Sequence, residues 1–183
     1  MGYAECGLGK HGLECFGTMQ VEGMQPDAAT LVGSLKSCCM IIESINTGRD
    51  MHNLIINHGL EENIVVSNTL VDMYGKNGLS ATAWKVHNSH PNRNVVSWTA
   101  LISGYTKYGH CKEALESFRK MNSEGISANA VSFLCILKAC ASARAIDKGK
   151  AIHEKIICRE LLKRNVVLGT ALVDMYDKCG MLT

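Results

Sequence analysis

One phrase is written three times in this chain: LVDMYGKNG at residues 70–78, LVDMYDKCG at 172–180 and, more loosely, LISGYTKYG at 101–109. A chain that repeats itself in register folds into units that repeat in space, each burying its apolar face against its neighbours. Sliding the sequence by 102 positions aligns Gly2, Tyr3, Gly7, Lys10, Leu13, Glu14, Phe16, Met19, Glu22 and Gly23 with identical residues from Gly104 to Gly125. The same offset brings SLKSC at 34–38 onto ILKAC at 136–140, and Leu70–Tyr74, Lys76 and Gly78 onto Leu172–Tyr176, Lys178 and Gly180.

The period subdivides. Leu70 and Leu101 stand 31 residues apart, and the 71 residues from Leu101 to Leu172 divide into 35 and 36 when ILKAC marks the middle unit. The expected units are therefore 1–27 (start missing), 28–63, 64–94, 95–129, 130–165 and 166–183 (end missing). Unit lengths in this range are typical of solenoids.

Within a unit the spacing is helical. In 95–129, Trp98, Leu101, Ile102 and Tyr105 recur at intervals of three and four, Gly109 interrupts, and Ala114, Leu115, Phe118 and Met121 resume the interval. That pattern predicts two helices and a turn. Gly109 and its counterparts Gly7, Gly78 and Gly180 sit where a helix C-terminus needs a left-handed residue, and Gly23 and Gly125 close the second helices in the same way. The two prolines, Pro26 and Pro91, fall at unit junctions. The expected class is all-α, a right-handed superhelical solenoid of helix-turn-helix repeats.

Composition bears on partners and chemistry. The formal net charge of +2 conceals an asymmetry: residues 1–91 carry 5 Lys+Arg against 9 Asp+Glu, and residues 92–183 carry 14 against 8. Nine cysteines form no CxxC pair, and with an odd count and no secretory signal they read as reduced, buried thiols. No apolar run approaches the roughly 18 residues of a membrane span. The opening MGYAECGLGKHGLE is neither a signal peptide nor an organellar transit peptide, and Cys6 stands where a myristoylation signal has Ser or Thr.

The phrases VVSWTALISGYTKYGHCKEALESFRKMNSEGISAN, SFLCILKACASARAIDKGKAIHEKII and VVLGTALVDMYDKCG resemble the pentatricopeptide repeat family of plants, over the whole chain. The 36, 31, 35 spacing resembles its subclass of alternating repeats. In that scheme 28–63 and 130–165 are long repeats, 64–94 and the partial 166–183 short ones, and 95–129 and the partial 1–27 standard ones. Two departures stand out: the second helix of 28–63 has Asn46 and Thr47 where apolar residues are expected, and His87 replaces the usual Phe in 64–94, which is expected to weaken that unit's packing.

The resemblance implies binding of single-stranded organellar RNA, one base per unit. It implies that the fifth and last residues of a unit select the base and the second flanks it. A terminal Asp accepts from the ring N–H of U or G, whereas an Asn amide donates to the ring nitrogen of C or A. A short fifth residue leaves room for a purine and a longer one reaches a pyrimidine. The implied base-selecting residues are Asp27 (U or G), Asn68 with Asn94 (C, with U tolerated), Thr99 with Asn129 (A) and Thr170 (a purine). The long repeats pair Val32 with Asn63 and Leu134 with Asn165, where an apolar fifth residue assigns no base. Val65, Val96, Val131 and Val167 would flank the bases, with Ala29 a weaker substitute. The implied read is (U/G)-any-(C/U)-A-any-purine, 5′ to 3′.

Plainer readings stand beside these. Asn68 and Thr99 would also serve as helix caps or surface residues, and the valines as core. Lys148, Lys150, Lys155, Arg159, Lys163 and Arg164 would track phosphate, or form the solvated face of a second helix, which is the favoured reading. His52 and His153 occupy one repeat position, which favours packing over metal ligation. A zinc deaminase needs H-x-E followed by P-C-x-x-C, and neither pattern occurs. The chain is therefore expected not to be an enzyme and to need no cofactor, metal or small-molecule substrate.

By resemblance the chain is a fragment of a mitochondrial or chloroplast RNA-processing factor, acting in C-to-U editing with editing-complex proteins or a deaminase supplied in trans. The alternatives are a protein-binding scaffold of tetratricopeptide type and a truncated, non-functional product. A solenoid cut inside its first and last units exposes apolar faces, so weak stability or self-association is expected.

Overall fold

The computed structural model describes residues 8–41 and 45–181. Among them are ten α-helices: α1 (Gly9–Val21), α2 (Ala28–Cys38), α3 (Ile45–Asn57), α4 (Ile64–Lys76), α5 (Ser80–Ser89), α6 (Val95–Lys107), α7 (Cys111–Ser123), α8 (Ala130–Ala143), α9 (Ile146–Cys158) and α10 (Val166–Lys178). A single 3₁₀ turn spans Leu161–Arg164, and there is no strand among the described residues. No helix among them is long and apolar enough to cross a membrane. The chain divides into two compact bodies, Met1–Arg93 and Asn94–Thr183.

In the second body the apolar interval seen in the sequence becomes the core. Trp98, Leu101 and Ile102 of α6 are at most 1% exposed, and Ala114, Phe118 and Met121 of α7 are buried against them. Helix α8 packs on α6, α7, α9 and α10. It is buried along much of its length, through Phe133, Ile136, Leu137, Ala139 and Cys140. The rings of Phe118 and Phe133 lie 5.9 Å apart and tilted by 58°, a favourable aromatic geometry. Gly149 of α9 allows the closest approach: a Cβ there would lie 2.5 Å from Met175 Sδ of α10. Gly48 of α3 faces Met73 of α4 in the same way in the first body.

The first body repeats this arrangement with α2 packed on α1, α3 and α4, and α4 on α5. Polar Asn46 and Thr47 do not prevent α3 from forming, because its buried stripe is Gly48, Met51 and Ile55. His87 does not leave α5 loose on its inner side: it is 1% exposed and stacked on Trp84 at 5.9 Å.

Turns close as the glycines require. Gly125 adopts φ 75°, its N–H reaching the Asn122 carbonyl at 3.1 Å while the Ile126 N–H reaches Met121 at 3.1 Å, so that two carbonyls at the end of α7 are satisfied. Helix α8 ends with the same pair of bonds, to Ala141 and Cys140, but its left-handed residue is Arg144 at φ 50°. Gly7 lies outside the described residues.

The eight described cysteines are all free. Burial holds for Cys38, Cys111, Cys135 and Cys140, whereas Cys15 and Cys158 are exposed, which corrects the expectation of uniformly buried thiols. Both residues stand on the outward side of a second helix, a distinction that periodicity at one position does not reveal.

Candidate nucleic-acid interface

Helices α2, α4, α6, α8 and α10 each begin with the same chemistry. Asp27, Asn63, Asn94, Asn129 and Asn165 are their N-caps, each accepting a backbone N–H of the first turn through its side-chain oxygen. The distances are 2.7 Å for Asp27 to Thr30, 3.0 Å for Asn63 to Val65, 2.9 Å for Asn94 to Val96, 2.8 Å for Asn129 to Ser132 and 3.1 Å for Asn165 to Leu168. Asn94 completes a capping box, its own N–H reaching Ser97 Oγ at 3.1 Å. Thr30 also donates its hydroxyl to Asp27 at 2.7 Å, and these bonds hold the Asp27 carboxyl below the usual carboxylate range.

The caps are therefore the closing residues of each stretch, and neither Asn68 nor Thr99 is one. Both stand one turn inside their helices, Asn68 half-buried on α4 and Thr99 buried on α6. Thr170 occupies the corresponding place on α10, exposed, with its hydroxyl donating to the Val166 carbonyl at 3.2 Å. Val32 on α2 and Leu134 on α8 are half-buried. Val65, Val96, Val131 and Val167 are 57%, 55%, 54% and 59% exposed, which excludes a core role for them, and Ala29 is exposed on α2.

One presumed pair is physically joined. Thr99 Oγ1 lies 2.6 Å from Ser132 Oγ, and Ser132 Oγ donates to Asn129 Oδ1 at 2.9 Å. Asn68 and Asn94, by contrast, belong to different bodies.

A cleft of about 450 Å³ runs along α6, α8 and α10, lined by Ser103, Thr106, Lys107, Cys135, Lys138, Ser142, Asp174 and Lys178. Lys178 is paired with Asp174 at 2.9 Å, leaving the lining with more ammonium than carboxylate groups. None of the three lysines was read as a phosphate contact from the sequence, although Lys76, Lys107 and Lys178 all end first helices of the repeat. The basic residues that were singled out lie elsewhere. Lys148, Lys150, Lys155, Arg159 and Lys163 are exposed on α9 and the turn after it. Lys155 and Arg159 are more than a solvated face: they cover the rings of Phe118 and Phe133 at 5.9 and 5.5 Å, and Arg159 also donates to the Ala128 carbonyl at 2.9 Å. The histidines serve packing: Nδ1 of His52 and His153 lie 2.9 Å from the hydroxyls of Tyr74 and Tyr176. No group of three or more His, Cys, Asp or Glu suited to a metal occurs among the described residues.

Known proteins share this architecture. Residues 93–142 match the PPR repeat family and residues 65–89 the PPR repeat, so the chain carries pentatricopeptide repeats. A chloroplastic pentatricopeptide repeat-containing protein of Arabidopsis thaliana is 35% identical over 181 residues, covering 99% of this chain and 29% of that protein. A second chloroplastic Arabidopsis protein of this kind is 42% identical over 163 residues, covering 88% of this chain and 22% of its own length. A third, whose name places it in mitochondria, is 35% identical over 181 residues, covering 99% of this chain and 28% of its own length.

Among solved structures, the pentatricopeptide repeat protein PPR10 in complex with an 18-nt psaJ RNA element superposes with a TM-score of 0.80 at 21% identity, covering 98% of this chain and 28% of that one. PPR10 from maize gives 0.62 at 18% identity, covering 98% and 30%. The likeness shows the fold, an all-α solenoid of helix-turn-helix repeats. This chain thus spans less than a third of the length of each of these proteins.

Proposed function

We propose that this chain binds single-stranded RNA in a sequence-specific way, one base per helix pair, with units at 1–27, 28–63, 64–94, 95–129, 130–165 and 166–183. The reading rests above all on one recurrent geometry: each described first helix opens on an Asx side chain, and in four of these five an exposed valine stands two residues on. An exposed apolar side chain beside a polar cap suits a flat base with a hydrogen-bonding edge. Lys107, Lys138 and Lys178 line the same helices and would meet phosphate.

Asp27, Asn68 with Asn94, Thr99 with Asn129, and Thr170 are the base-selecting residues in this scheme. Val65, Val96, Val131 and Val167 flank the bases. The long repeats, with Val32 and Asn63 and with Leu134 and Asn165, bind without choosing. Likeness to chloroplastic and mitochondrial plant proteins supports action in one of those organelles, on an organellar transcript. The alternation of long, short and standard repeats favours a specificity factor for C-to-U editing, with the deaminase or other editing proteins supplied in trans.

The test is binding of the purified chain to short single-stranded RNAs that differ only at the bases facing 64–94 and 95–129, at one fixed salt concentration. Preference for C followed by A is expected. Salt-sensitive binding indifferent to base would reduce the activity to electrostatics, and no binding by a folded sample would favour a protein-binding scaffold.

A further inference from the structure

We propose that Ser132 is a positioning residue that fixes the hydrogen-bonding polarity of Thr99 and Asn129, so that the pair presents one acceptor and one donor to a base and selects amino bases over keto bases. The inference rests on the RNA-binding reading above. It concerns a residue that lies outside the repeat containing the pair.

The polarity follows from counting protons. Asn129 Oδ1 accepts the Ser132 backbone N–H at 2.8 Å, which fixes the amide with its oxygen toward the helix and its NH₂ away from it. That oxygen can only accept, so the 2.9 Å contact with Ser132 Oγ uses the serine proton. Ser132 Oγ is then left with lone pairs, and the 2.6 Å contact with Thr99 Oγ1 must use the threonine proton. Thr99 Oγ1 retains acceptor capacity alone, while exposed Asn129 retains its two Nδ2 donors. Ser132 is wholly buried and Thr99 is 9% exposed, so water does not readily scramble the chain of hydroxyls.

An acceptor beside a donor is complementary to the exocyclic amine and ring nitrogen of adenine or cytosine. Guanine and uracil place a carbonyl oxygen opposite the threonine acceptor and an N–H opposite the amide donor. The short Thr99 side chain leaves room for a purine, which makes adenine the expected base. At the starts of α4 and α10 the corresponding residues, Val66 and Leu168, carry no hydroxyl and cannot relay a proton in this way.

The experiment compares the wild-type chain with Ser132→Ala and Ser132→Thr. Each is titrated with four single-stranded RNAs differing only at the base facing Thr99 and Asn129. Thr30, which donates its hydroxyl to Asp27 at 2.7 Å, shows that threonine can make this bond, so Ser132→Thr is the rescue. Ser132→Ala is expected to reduce the adenine-to-guanine affinity ratio by about five-fold, the worth of one polar contact, and Ser132→Thr to keep most of it. An unchanged ratio in Ser132→Ala, with any loss equal for all four bases, overturns the role of Ser132 while leaving RNA binding intact.

A wild-type chain that binds all four RNAs alike overturns the RNA-reading proposal and this one with it. The hydroxyl contact is read separately, without RNA, by thermal melts of Thr99→Val, Ser132→Ala and the double variant. Non-additive shifts in Tm support the contact, and additive shifts overturn it.

Discussion

The imidazole Nδ1 of His52 lies 2.9 Å from the hydroxyl of Tyr74, with the rings 5.6 Å apart and edge to face, and His153 meets Tyr176 at the same two distances. Each pair ties a second helix to the first helix that follows it, which makes the contact part of the stacking itself. Desolvation pushes the His52 pKa below its ordinary value of 6.5, outweighing the Glu61 carboxylate, which pulls upward. The unfolded chain therefore binds more protons just below pH 6.5 than the folded one. Stability is fully present above that value and falls as pH drops from 6.5 toward the depressed folded pKa. Thermal melts between pH 8 and pH 5 are expected to show this decline, and His52→Gln is expected to flatten it.

The unit-closing residues carry two separable tasks. Asn94→Ala removes the cap of α6 and is expected to cost about 1 kcal/mol in chemical unfolding. Asn94→Asp keeps an acceptor for the Val96 and Ser97 N–H groups, now 2.9 and 3.1 Å from Asn94 Oδ1, and adds a charge favoured by the helix N-terminus. That variant is expected to match the wild type in stability while its base preference moves from C toward U. A paired unfolding and RNA titration separates the effects, and an Asn94→Asp variant with wild-type stability and an unchanged base preference would mean that Asn94 serves only as a cap.

Arg144 holds a left-handed turn that glycine performs elsewhere in the chain. Its φ of 50° strains a side chain that is exposed and ends α8. Arg144→Gly is expected to stabilise the fold by about 0.5–1 kcal/mol, the relief of strain exceeding the added freedom of the unfolded chain. A shift of the denaturant midpoint to higher concentration, without a change in slope, is the expected observation.

Thiol reactivity maps the packing. Burial pushes Cys140 up to about 11 and Cys39 up to about 12, the latter with help from the nearby Asp72 carboxylate, so neither is a thiolate at neutral pH. Exposed Cys15 and Cys158 are expected to react with a thiol reagent within the native state, ahead of Cys38, Cys135 and Cys140, which require unfolding. Mass spectrometry after a short labelling pulse distinguishes the two sets.

Phe133 tests the core. It is fully buried between Phe118 and the guanidinium of Arg159, and Phe133→Ala is expected to cost about 3–5 kcal/mol. A loss below 1 kcal/mol would mean that α8 does not carry the packing of the second body.

Local order was written in the sequence because its causes are local. Trp98, Leu101, Ile102 and Tyr105 had to share a face once they were helical, Gly109 and Gly125 had to end helices, and Asn94 and Asn129 were good caps wherever a first turn followed them. The exceptions arose where one local role can be filled by several residue types, as with Arg144 in place of glycine.

Exposure and partnership were decided only by the fold, because they depend on how one helix is rotated against its neighbours. The second-residue valines were equally compatible with a core until four of them emerged more than half exposed. Cys158 reads like Cys140 in sequence, yet one faces outward and the other lies at zero exposure. Thr99 and Ser132 are 33 positions apart, and no interval or composition brings their hydroxyls together. That contact exists because α8 packs directly on α6, placing the first turn of one helix beside the second turn of the other. The sequence by itself determined that the chain would build helices and repeat them; the packing of adjacent first helices decided which side chains meet and which remain exposed.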